Sequence, residues 1–77
     1  MAEMKEMQIK LTGLEEVQNF TAAAQATNGD ILVRRGKYIV DGKSFLGMLS
    51  LNCYQGVTVE YPAGAGGFEK TISQWEI

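Results

Sequence analysis

Few side chains in this sequence could do chemistry, and their spacing decides most of it. There is no histidine, so the commonest general base and the commonest metal ligand are both missing. Cys53 is the one thiol, and nothing beside it in sequence supplies a base. It reads as a small buried hydrophobe. Glu15 and Glu16 are adjacent acids, but adjacent helical positions do not share a face. They suit the positive end of a helix dipole better than an acid–base pair. Gly42-Lys43-Ser44 has the look of a phosphate-loop tail. The preceding glycine, Gly36, is one residue out of place for such a loop: five residues intervene where four are needed, and they read as a strand. A turn followed by a helix cap is the better reading. Gly64, Gly66 and Gly67 read as a flexible connection rather than an anion cradle. Arg34, Arg35 and Lys37 read as the solvated tip of a hairpin.

The elements that position these residues follow from hydropathy patterning. Met7, Ile9 and Leu11 alternate with Gln8 and Lys10, a half-buried strand that Thr12-Gly13 ends. Val17, Phe20 and Ala24 share one helical face between Glu15 and Ala26, and Asn28-Gly29-Asp30 stops that helix. Ile31-Leu32-Val33 and Tyr38-Ile39-Val40 form a hairpin around Gly36. Ser44 to Asn52 is a short helix with Ser44 as N-cap. Val57, Val59 and Tyr61 alternate in a strand ended by Pro62. Phe68, Ile72 and Trp75 fall at i, i+4 and i+7 on a terminal helix. The order strand–helix–strand–strand–helix–strand–helix predicts an α+β fold: a mainly antiparallel four-stranded sheet, one face open, covered by three helices.

The chain has 77 residues, room for one small domain over residues 1–77. Nine acidic against seven basic residues give a net charge of −2, which argues against broad attraction to nucleic acid or an anionic membrane. One cysteine allows no internal disulfide, so a reducing, cytoplasmic compartment is expected. The N-terminal residues carry no signal-peptide apolar stretch, and no run approaches a membrane span. No metal or cofactor is expected.

The Ser44–Asn52 helix is unusual. Phe45, Leu46 and Leu49 lie to one side, Met48 and Leu51 to another, and no charge interrupts them. A domain this small cannot easily bury both sides. An exposed apolar docking surface is expected.

Gly42-Lys43-Ser44-Phe45-Leu46-Gly47-Met48-Leu49-Ser50-Leu51, followed by Gln55-Gly56-Val57-Thr58-Val59, resembles the HPr family, the histidine-containing phosphocarriers of the bacterial sugar phosphotransferase system. The family pattern in this stretch is Lys-Ser, two hydrophobic residues and Gly, then Ser-Leu, then a Gly before an alternating strand. The match runs without a gap from about Gly29 to Val59, and the element order agrees along the whole chain. The resemblance implies an open-faced β-sandwich that carries phosphate between Enzyme I and sugar-specific permease components. The family's histidine stands at the start of the first helix. Here Glu15 stands at that place if the loop is about two residues shorter, and an ungapped comparison puts Gly13 there. The family's Arg and Pro are absent as well.

The resemblance therefore implies a homologue without phosphohistidine transfer, not an enzyme, acting as a small protein-docking or regulatory module. Ser44 matches the family's regulatory phosphorylation site. A histidine-lacking paralogue works only through that serine, although the helix-cap role of Ser44 ranks first on the residues themselves. Phe45, Leu46 and Leu49 match the family's docking positions. The implied partners are proteins: a phosphotransferase-system component, a serine kinase or a transcriptional regulator. One alternative is a divergent phosphocarrier with another acceptor. A second is a structural subunit that joins a larger assembly through its sheet face or the Arg34-Arg35 turn.

Overall fold

The computed structural model describes residues 3–77. Four strands and three helices follow in the expected order: β1 (Met4–Ile9), α1 (Leu14–Gln25), β2 (Leu32–Arg35), β3 (Tyr38–Asp41), α2 (Phe45–Ser50), β4 (Val57–Pro62) and α3 (Gly66–Ile72). Short 3₁₀ turns at Cys53–Gln55 and Ser73–Trp75 follow α2 and α3. The strands form one sheet in the order β1-β4-β2-β3, and every pairing is antiparallel.

Period-two alternation sorts the sheet into two faces. Val57, Val59 and Tyr61 of β4 point inward beside Ile9 and Val33, and all five are buried. Ile31, just ahead of β2, joins them. The helices cover this side. Phe20 of α1 meets Phe68 of α3 edge-on with centroids 5.7 Å apart, and Tyr61 packs on Phe68 at 5.8 Å. Such aromatic contacts contribute beyond the area they bury. Trp75 closes the end of the core 6.4 Å from Phe20.

β1 lies earlier than the alternation suggests. It pairs with β4 from Met4↔Pro62 to Ile9↔Val57. β4 begins at Val57, so Leu11 has no strand opposite it. Its N–H instead donates to the Cys53 carbonyl at 3.2 Å, and its side chain stays buried. The N-terminal half of the strand is concealed in the sequence because Lys5 occupies an inward-phase position. Its ammonium reaches the layer's edge and pairs with Glu69 at 2.7 Å.

The cationic hairpin tip is also different. Arg34 and Arg35 belong to β2, and only Gly36 and Lys37 form the turn. Gly36 has φ +60°, as the first position of a two-residue hairpin turn with a following ordinary residue requires. Arg34 lies on the open face, where it bridges Glu60 of β4 at 2.9 Å and Glu6 of β1 at 3.5 Å. Arg35 hydrogen-bonds Gln55. Arg34 is held by cross-strand ion pairs and Arg35 by the turn after α2, so neither is a free cation at a loop tip.

Candidate functional site

The site forms where the short helix α2 meets the entry to α1. Its foundation is the turn between β3 and α2. The Asp41 carboxylate accepts from the Lys43 N–H at 2.9 Å, and the Asp41 carbonyl accepts from the Ser44 N–H at 3.0 Å. Gln25, at the end of α1, donates to the Lys43 carbonyl at 2.9 Å and ties the two helices together. Gly42 presses against Ile31: a Cβ there would stand 2.6 Å from the Ile31 Cγ2. The tripeptide Gly42-Lys43-Ser44 is thus a packed turn leading into a cap. Ser44 Oγ accepts from the Gly47 N–H at 3.1 Å, which satisfies one of the helix's orphan donors. Its side chain is exposed to solvent.

The rotation of 100° per residue then divides α2. Phe45, Met48 and Leu51 recur every three residues and turn inward. Met48 and Leu51 are buried, and Phe45 is half-buried against the core. Leu46 and Leu49 face outward, 78% and 42% exposed. Phe45 therefore sides with Met48 rather than with Leu46. Gly47 lets the helix lie close to β3, since a Cβ there would be 3.3 Å from the Val40 Cβ.

Two residues not singled out from sequence complete the apolar surface. Leu14, the first residue of α1, is 58% exposed, and Tyr54, in the turn after α2, is 53% exposed. With Leu49 they line a shallow cleft of about 290 Å³, floored by Leu11, Val17 and Met48. The signal for Leu14 was its place outside the Val17–Phe20–Ala24 stripe. Tyr54 carries no such signal, because it sits in a turn with no periodicity.

The other chemical candidates resolve into structural roles. Cys53 is buried and its thiol donates to the Met48 carbonyl at 3.2 Å. Burial pushes the thiol's pKa up, which is the opposite of nucleophile activation. Glu16 accepts from the Thr12 N–H at 2.9 Å and so closes the entry to α1. Glu15 is exposed in the same first turn, and Gly13 forms the N-cap. Glu69, in the first turn of α3, is held by Lys5 and by the Tyr61 hydroxyl, so the glycine-rich connection leads to a carboxylate rather than an anion site. Among the described residues no group of three or more Cys, Asp or Glu side chains could hold a metal ion, and no helix is long and apolar enough to cross a membrane.

An antiparallel sheet in the order β1-β4-β2-β3 beneath three helices defines an open-faced α+β sandwich. Solved structures place it further. HPr-C-His from Thermoanaerobacter tengcongensis superposes with a TM-score of 0.71 at 23% identity, covering 94% of this chain and 88% of that one. The phosphocarrier protein HPr from Bacillus anthracis str. Ames superposes at 0.70 with 20% identity, covering 97% and 96%. No family model and no curated protein matches the sequence. The fold is HPr-like.

Proposed function

We propose that this HPr-like chain is a protein-docking module rather than a catalyst or a phosphohistidine relay. The observation that carries the reading is the exposed apolar surface at α2: Leu14, Leu49 and Tyr54 line one cleft, and Leu46 is exposed on the same short helix as Leu49. Contiguous exposed apolar residues rimmed by polar ones mark interaction sites on small proteins. The Bacillus anthracis protein is a phosphocarrier by its name. This chain has no histidine to accept phosphate, and Glu15 places fixed negative charge in the first turn of α1. An acyl phosphate there would meet like charge from Glu16 rather than a stabilising cation.

Ser44 gives the module a means of regulation. Its side chain is exposed, and it caps the helix that carries Leu46 and Leu49. A phosphoryl group would add charge at the start of the helix that carries Leu46 and Leu49, where the N–H groups of its first turn favour an anion. Partners of the type expected are a phosphotransferase component, a serine kinase or a transcriptional regulator, in a cytoplasmic setting.

Two measurements test this reading. In capture from native lysate, wild type should retain a partner that Leu46→Glu loses; equal capture by both refutes docking at this surface. Leu46 is the better choice than Phe45, whose side chain supports the core. With a serine kinase and ATP, wild type should take label that Ser44→Ala does not. Equal labelling of the two rejects the regulatory serine.

A further inference from the structure

The two edges of the sheet are finished differently. The β1 edge is covered at its C-terminal end by the last residues of the chain: Lys10 N–H donates to the Trp75 carbonyl, Ile77 N–H donates to the Gln8 carbonyl, and Ile9 bridges Glu76. The β3 edge has no strand beside it among the described residues. Edge strands are normally blunted by central charge, proline or a bulge. β3 reads Tyr38-Ile39-Val40-Asp41, with none of these at its centre, and Tyr38 and Ile39 are 62% and 59% exposed.

The hairpin register fixes which backbone groups are free. A two-residue loop makes Arg35 and Tyr38 the first hydrogen-bonded pair, so Val33 and Val40 form the next. Ile39 lies between them opposite Arg34, in a non-hydrogen-bonded pair. Its N–H and C=O therefore point away from β2, out of the sheet.

We propose that β3 pairs antiparallel with β3 of a second copy of this chain, centred on Ile39, to give a continuous eight-stranded sheet. The sequence Lys37-Tyr38-Ile39-Val40-Asp41 is self-complementary in that register. Ile39 meets Ile39 of the second copy and exchanges both backbone hydrogen bonds with it. Tyr38 meets Val40, an aromatic–β-branched pair of the kind that stabilises sheets. Lys37 meets Asp41 at both ends, so the charges match twice. One Asp41 oxygen already accepts from Lys43, and the other is available to the lysine. Any twofold contact must be complementary to itself, and this strand meets that condition. A shift of the centre by one residue in either direction loses the Lys37–Asp41 match. The contact is short, so the association is weak and reversible.

Sedimentation of the full chain from about 10 μM to about 2 mM tests it, the range in which weak contacts of this size associate. The weight-average mass should rise from 8.4 kDa toward twice that value. Ile39→Lys, which sets like charges face to face, should remain monomeric with an unchanged circular dichroism spectrum. Lys37→Asp and Asp41→Lys should each weaken association at least about tenfold, and the double exchange should recover it. A wild type that stays monomeric throughout overturns the proposal. So does an Ile39→Lys variant that associates like wild type, or association that Leu46→Glu abolishes and Ile39→Lys does not. The Leu46→Glu capture result is separate, because that residue lies on α2.

Discussion

Tyr61 of β4 donates its phenolic hydrogen to the Glu69 carboxylate of α3 at 2.5 Å, and the Lys5 ammonium of β1 reaches the same carboxylate at 2.7 Å. One acidic side chain thus joins the edge strand β1 and its interior neighbour β4 to the helix above them. Burial, reinforced by the Glu69 hydrogen bond and by the charges of Glu69 and Glu76, pushes the Tyr61 pKa up to about 12. A raised value in the folded state stabilises the fold fully below the unfolded tyrosine value of 10.0, and that contribution is lost as pH rises through about 12. Chemical denaturation across pH 9–12 should show wild type losing stability on this limb. Tyr61→Phe should lose less over the same interval, and absorbance at 295 nm should lack its late phenolate step.

The acid limb depends on the same carboxylate. The hydrogen bond from Lys5, then that from Tyr61, holds the Glu69 carboxyl below its usual value of 4.5. A depressed value contributes stability above 4.5 that is lost as pH falls through the folded-state value. Glu69→Gln should be less stable than wild type at neutral pH, and the difference should shrink in acid. Urea midpoints at about pH 7 and about pH 3 check the sign.

Two positions of α2 should respond very differently. Met48→Ala removes a fully buried side chain and should cost about 2–5 kcal/mol. Leu46→Glu changes a side chain that is mostly in water and should alter stability by no more than about 0.5 kcal/mol. Thermal melts of the two variants check the division of the helix into a core face and an exposed face.

Gly42 should resist substitution for a reason unrelated to phosphate binding. An added methyl group meets the Ile31 side chain and its carbonyl oxygen, which already accepts the Gly42 N–H at 2.7 Å. Gly42→Ala should destabilise the protein by about 1–3 kcal/mol, the usual cost of overpacking. Equilibrium unfolding measures it.

The fold was legible because most elements declare one dominant period. Val57, Val59 and Tyr61 could only be a half-buried strand, and Val17, Phe20 and Ala24 could only be one face of a helix. The errors lie where local pattern competes with a distant partner. Lys5 hid half of β1 because its inward position is explained by Glu69, more than sixty residues away in sequence. Arg34 and Arg35 looked like a loop tip because their partners, Glu60, Glu6 and Gln55, come from other elements. Ser44 was readable as a cap from its type and place alone, and it makes that bond. The apolar surface was half legible. Leu46 and Leu49 followed from the absence of charge on α2, Phe45 turned out to support the core, and Tyr54 entered through a turn that no periodicity describes.

The strand order has one more consequence. Among the strands β1 pairs with β4 alone, and nearly fifty residues separate Ile9 from Val57. Such distant pairings slow folding, because a long stretch of chain must be closed into a loop first. During synthesis the ribosome must release most of β4 before the opening strand has anything to pair with. Until then Met7 and Ile9 travel as unsheltered apolar groups, and a chaperone meeting the nascent chain would find them there.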